Sequence, residues 1–182
     1  PVLTRLFDPR EFAAIAVFLL VGTAIASLSC LKLDNAIIRA RSSRLAAHLA
    51  ALALSATLLS AIASIAIGAM IAEYLGSPRE WEYAALLSAY ILFGGCYDVF
   101  NALALRRGLA RIVTKGRIVL AVSALVIQIG LGLVSGSAEV FVLGLAAGYL
   151  CTIAYLWVAL RLRIHRKMDW SGAPALLYRH RQ

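Results

Sequence analysis

Residues 45–72 read LAAHLAALALSATLLSAIASIAIGAMIA, a stretch of 28 residues with no Lys, Arg, Asp or Glu. It is apolar or small on every face and rich in Ala and Leu, which have the strongest helix preference. About 20 helical residues cross the hydrocarbon core of a bilayer. This run therefore reads as a transmembrane helix long enough to tilt or to pass the membrane surface. The other spanning design, a β-barrel, needs segments of about 10 residues that alternate apolar and polar, and this stretch does not alternate.

Four more apolar runs accompany it, at residues 12–31, 84–105, 118–134 and 140–160. The run at 118–134 is the shortest and is expected to borrow from Gly116 and Arg117. The chain of 182 residues is 62% hydrophobic and 15% charged, with a mean hydropathy of +0.85; soluble domains are about 45–50% apolar and about 25% charged. The fold class is all-α, a multi-spanning membrane helix bundle of five transmembrane helices over residues 1–160. Residues 161–182 read as a cytoplasmic interfacial segment or a linker, with Trp170 and Tyr178 suited to the headgroup level.

Fifteen of the eighteen Lys and Arg residues lie in three segments, 32–44, 106–117 and 161–181. These alternate with segments almost free of basic charge, so the basic set is expected on the cytoplasmic side and the N-terminus outside. Topology alone accounts for most individual loop arginines, with attraction to anionic headgroups as a secondary effect. Pro9 suits the opening turn of the first helix, and Asp8 is placed to cap it. An odd helix count and a first residue that is not Met read as a chain cut from something longer. The order of features that marks a signal peptide is missing.

Short turns make successive helices antiparallel neighbours, with Gly76-Ser77-Pro78 and Ser135-Gly136-Ser137 punctuating two of them. The pairs Gly132 with Gly136 and Gly144 with Gly148 stand four apart, a spacing that lets helix backbones approach in lipid. Ala47, Ala51, Ser55 and Ala56 read as a helix-contact stripe of the same kind.

Enzymatic constellations do not assemble. His48, His165 and His180 have no partners at metal-ligand spacing. Cys30, Cys96 and Cys151 lie one to a span without a CxxC pair and read as buried, inert thiols. There is no phosphate-cradling Gly-rich loop. No cofactor, metal or nucleic-acid partner is implied, and the chain does not read as an enzyme. What remains are polar residues inside or beside the spans, which cost energy in lipid and invite a functional reading. They are Lys32, Asp34 and Asn35 after the first span, His48 one turn inside the second, Asp98 and Asn101 on one face of the third, Arg117 at the start of the fourth and Gln128 near its middle. Snorkelling and ion pairs of Asp98 with Arg106 or Lys32 are the structural explanation for most of them.

Several of these residues carry a resemblance. Leu6-Phe7-Asp8-Pro9-Arg10-Glu11-Phe12, then Ser29-Cys30-Leu31-Lys32-Leu33-Asp34-Asn35-Ala36-Ile37-Ile38 and Tyr97-Asp98-Val99-Phe100-Asn101 stand in order. Arg106-Arg107, Thr114-Lys115-Gly116-Arg117-Ile118-Val119 and a span containing Gln128 follow. Over about residues 6–160 the chain resembles bacterial polysaccharide flippases, in the superfamily of multidrug extruders and lipid II flippases. It departs from that pattern in the loop after the first span, where an Arg and an acidic residue are usual and Lys32 and Asp34 stand, and before Arg117, where a small residue or Ser is common and Gly116 stands.

The resemblance implies a two-lobed transporter of roughly twelve to fourteen helices, of which this chain holds the second to sixth, part of one six- or seven-helix lobe. A missing N-terminal helix and second lobe would complete it, and a lone half-lobe is not expected to transport. The implied activity is translocation of undecaprenyl diphosphate-linked oligosaccharide across the bacterial inner membrane by alternating access. Its partners would be the lipid-linked oligosaccharide and membrane lipids. Lys32, Arg39, Arg41 and Arg117 would meet the diphosphate headgroup at the cytoplasmic mouth, Arg bidentately and Lys as a point charge. Asp34, Asn35, Asp98, Asn101 and Gln128 would line or gate the lumen. A small-solute or drug antiporter of the same superfamily and a non-transport membrane scaffold are the alternatives.

The topology is testable with cysteines placed at Ser42, Ser77, Gly108 and Ser137 in a background without native thiols. An impermeant maleimide applied to intact spheroplasts is expected to label positions 77 and 137 and to spare 42 and 108. Strong labelling at 42 with none at 77 would reverse the orientation.

Overall fold

The computed structural model describes residues 9–29, 32–74, 80–133 and 138–167. They form six α-helices: α1 (Pro9–Ser29), α2 (Leu33–Arg39), α3 (Ser43–Tyr74), α4 (Glu80–Arg106), α5 (Ala110–Gly132) and α6 (Ala138–Lys167). No strand occurs among the described residues. Four helices are long and apolar enough to cross a membrane, and α1 with α2 make a fifth crossing if they count as one span bent by 41°. Counted that way, the bundle is four continuous helices and one broken one.

The sequence boundaries shift in three places. The segment 32–44, read as a loop, contains α2, seven residues long and too short to show a period of its own. The fourth span begins at Ala110 rather than near residue 116. Arg111, Lys115 and Arg117 lower the local hydropathy there, yet a helix tolerates them because long basic side chains lead their charge away from the hydrocarbon. The last helix runs past residue 160 to Lys167. Asp8, Cys30, Gly76-Ser77-Pro78, Ser135-Gly136-Ser137 and the tail with Trp170 and Tyr178 lie outside the described residues.

Helix α4 is the hub. It packs against all five other helices, and 56% of its spanning window is buried, against 28 to 33% for the other continuous spans. The remaining surface is apolar: Leu59, Ile62 and Met70 of α3, Val122 and Val126 of α5, and Trp157 and Val158 of α6 are all exposed. Against lipid tails that surface meets its like.

Small residues set the contact between α3 and α4. Ala46, Ala50, Ala53, Thr57, Ala61, Ser64 and Gly68 are buried at every third or fourth position, the repeat of one helix face. This replaces the expected stripe, since Ala47, Ala51 and Ser55 are exposed and Ala56 only half-buried. Two hydroxyls in the buried stripe turn back on their own helix, Thr57 Oγ1 donating to the Ala53 carbonyl at 2.9 Å and Ser64 Oγ to that of Ala61 at 2.7 Å. Their polarity is thereby satisfied within the segment, as a lipid solvent demands. The thiols also differ from expectation: Cys151 is exposed and Cys96 intermediate, because a thiol facing lipid needs no shelter from water.

Helices α5 and α6 meet across Gly144 and Gly148, as their spacing implied. A Cβ on Gly148 would stand 2.9 Å from the Ala124 Cβ and 3.2 Å from the Ala124 backbone nitrogen, whereas one on Gly130 would meet nothing within 4 Å. Gly148→Ala is therefore expected to push the pair apart and cost about 1–3 kcal/mol. Gly130→Ala should be neutral or add up to about 1 kcal/mol through helix propensity. Thermal unfolding of the two variants in detergent checks this, and equal melting temperatures would refute the close-contact account.

Candidate functional site

The polar residues gather on one side of the hub, at the end of the bundle that carries the α2/α3 and α4/α5 turns. On α4, Asp98, Asn101 and Leu105 follow at three and four residues and share a face. Asp98 precedes Arg106 at the helix end by eight residues, so it sits about 12 Å inside that end at 1.5 Å per residue. Arg117 is seven residues into the returning helix α5, and about 10 Å brings it to a similar depth. Gly108, with φ of 70°, makes the short turn between them possible, a conformation open to glycine without steric cost.

Helix α2 supplies the facing wall. Ile37, with no exposed surface, packs among Ala50, Ala53, Val99 and Ala102 and fixes α2 against α3 and α4. With Ile37 anchored, Asp34 and Ile38, four apart on one side of α2, face the α4 polar residues. Arg106 ties the same corner down, its Nε donating to the Ala40 carbonyl at 3.4 Å. Lys32, just ahead of α2, has a left-handed backbone with φ 52° and ψ 26°. That region is uncommon for a residue with a Cβ and costs about 1–2 kcal/mol. The strain lies at the break between α1 and α2.

Two adjoining recesses result. One, of about 240 Å³, is lined by Asp34, Ile38, Tyr97, Asp98, Asn101 and Arg117 among others. The other, of about 280 Å³, is lined by Ala26, Ser27, Lys32, Asp34, Asn35 and Asp98. Asp34 and Asp98 belong to both, so the recesses form one groove with two carboxylates in its middle, Lys32 on one side and Arg117 on the other. Among the described residues Asp98 makes no ion pair with Lys32 or Arg106; Arg106 is turned to Ala40 instead. The Asn101 Oδ1 atom is buried without a hydrogen-bond partner among the described residues.

Six of the nine singled-out residues thus meet: Lys32, Asp34, Asn35, Asp98, Asn101 and Arg117. Arg39 and Arg41 are exposed at the α2/α3 corner and line neither recess. Gln128 stands apart from the groove. Only 5% exposed, it lies between α5 and α6, its side chain over Gly144 and its Nε2 donating to the Phe141 carbonyl at 3.3 Å. An amide too deep to reach the surface has found a backbone acceptor across the helix pair.

Sequence reasoning missed an aromatic column that begins at Tyr97 in the groove lining. Tyr97 meets Tyr149 with tilted rings at 5.5 Å, and Tyr149 with Tyr90 at 5.8 Å and Tyr90 with Phe18 at 6.4 Å meet edge to face. The Tyr90 and Tyr149 hydroxyls also share a hydrogen bond. This column joins α1, α4 and α6 behind Asp98. Its one sequence signal is the seven-residue spacing of Tyr90 and Tyr97, two turns on one face.

Searches of curated proteins and of solved structures each gave no match. A family model described as polysaccharide biosynthesis protein matches residues 2–178, nearly the whole chain and every element that builds the groove. The chain belongs to the polysaccharide biosynthesis protein family.

Proposed function

We propose that this chain forms part of a lobe of a bacterial flippase that carries undecaprenyl diphosphate-linked oligosaccharide across the inner membrane by alternating access. Its role is transport rather than catalysis. The observation that carries this reading is the groove, where Lys32 and Arg117 flank Asp34 and Asp98 inside an otherwise apolar bundle of the polysaccharide biosynthesis family.

The physical task is to hold a diphosphate and its sugars away from hydrocarbon. Lys32 and Arg117 supply charge for the phosphates, Arg117 with the forked geometry that phosphate prefers. Asn35 and Asn101 offer amides to sugar hydroxyls. Asp34 and Asp98 balance the two cations when the groove is empty and oppose the headgroup when it arrives. Entry of a diphosphate is therefore accompanied by positive charge at those carboxylates, as protons or a metal cation. The basic end, carrying the α2/α3 and α4/α5 turns, faces the cytoplasm, where the loaded lipid is made. Arg39 and Arg41 act outside the groove, drawing anionic headgroups towards its mouth.

The carboxylate pair also favours a second reading, a cation-coupled small-solute antiporter. Reconstituted vesicles separate the two. A flippase moves a lipid-linked oligosaccharide between leaflets, whereas an antiporter expels a cationic dye against an imposed ion gradient.

Two outcomes follow for the full protein in cells. Lys32→Gln with Arg117→Gln removes two charge-assisted phosphate contacts of about 1.5–3 kcal/mol each and is expected to lower surface polysaccharide by about tenfold or more, with membrane insertion unchanged. Normal polymer in that double variant would take both residues out of the mechanism. Asp98→Asn keeps a hydrogen-bonding group in the groove and should retain clearly more export than Asp98→Leu. Equal loss in the two would make the charge at Asp98, rather than its hydrogen bonding, the requirement.

A further inference from the structure

The opposite side of α4 carries a second cavity, of about 430 Å³, lined by Phe100, Leu103, Arg107, Trp157, Leu160 and Arg161. At 100° per residue, Phe100 is turned 200° from Asp98 and Leu103 is turned 200° from Asn101, so this trough looks away from the polar groove. It lies between α4 and α6, which run in the same direction in a bundle of antiparallel neighbours. Phe100 and Trp157 meet edge to face at 5.9 Å and 83°, which fixes the indole while leaving it 56% exposed.

The lining is ordered by depth. Phe100, Leu103 and Leu160 make the apolar part, and Arg107 lies seven residues beyond Phe100, about 10 Å nearer the end of the bundle. Arg161 follows Leu160 at the same end of the trough. Both guanidinium groups belong to exposed residues, and among the described residues neither has an ion-pair or hydrogen-bond partner. Two arginines above an apolar channel, with an indole beside them, match an amphiphile whose head is an anion and whose tail is hydrocarbon. Arg takes phosphate bidentately, and Trp favours the level where headgroup meets chain. A zwitterionic headgroup brings its own cation and leaves two arginines opposite it, which favours a lipid with net negative charge.

We propose that the trough between α4 and α6 binds an anionic phospholipid, its phosphate between Arg107 and Arg161 and an acyl chain along Phe100, Leu103 and Leu160, against Trp157. The site is separate from the polar groove and does not depend on what that groove transports.

The chain has three tryptophans, so Trp81→Phe with Trp170→Phe leaves Trp157 as the single reporter. This protein, reconstituted in phosphatidylcholine vesicles, is titrated with phosphatidylglycerol brominated on its acyl chains, and separately with brominated phosphatidylcholine. Two basic side chains near the surface lead to an expected local enrichment of the anionic lipid by about tenfold or more, read as stronger quenching at equal mole fraction. Arg107→Gln with Arg161→Gln should abolish the difference while leaving quenching by brominated phosphatidylcholine and the melting temperature unchanged. Arg107→Lys with Arg161→Lys should keep part of the preference, having the charge without the fork. Equal quenching by the two lipids, or a preference that survives the glutamine pair, would overturn the site. Quenching by neither would show the trough covered by protein and would overturn it equally.

Discussion

Where lipid surrounds the helices, apolar side chains gain little by meeting one another, and the α3–α4 pair is held by how near two backbones can come. A Cβ on Gly68 would lie 2.5 Å from the Ala84 Cα, and one on Gly95 would run into the Thr57 side chain. That closeness is bought with small residues and with hydroxyls that bond to their own helix. The other placements depend on it. With α4 drawn against α3, the residues Val99 and Ala102 meet Ala50 and Ala53, and Ile37 finds the pocket that docks α2. The groove between α2 and α4 is a consequence of packing at a distance from its polar atoms.

The four continuous spans were legible because lipid removes ambiguity: a long uncharged run has one way to satisfy its backbone. The face of α3 was harder. Ala and Ser recur at many phases in residues 45–72, so a stripe drawn through Ala47, Ala51 and Ser55 looks as good as its neighbour until it is followed to Leu58 and Leu59. The phase that stays small for seven positions, from Ala46 to Gly68, is the one that packs. The break at Lys32 left no trace, since a left-handed backbone at a lysine is imposed by tertiary packing against local preference.

The candidate site was legible in its residue types and less so in its assembly. Asp98 and Asn101 share a face by spacing alone, and Arg117 falls level with them through the tight turn at Gly108. Asp34 joined them through Ile37, an apolar residue with no polar signal of its own. Gln128 carried the same signal as Asp98, a polar group inside a span, and proved to be satisfied by a neighbouring backbone carbonyl. Intramembrane polarity marks a residue that needs a partner, and only the fold tells whether that partner is the protein or a ligand.

Helix α4 is a partition about 10 Å thick with a different medium on each side, charged and polar at Asp98 and apolar at Phe100. A helix of this kind is stiff and does not yield on one surface alone. A roll or tilt that widened the space at Asn101 would also carry Leu103 and Arg107 against whatever lies outside. The lateral pressure and headgroup charge of the surrounding leaflet thus act on the same rod as the contents of the groove. In a bilayer, the leaflet on the Phe100 side bears on the same helix that carries Asp98 and Asn101.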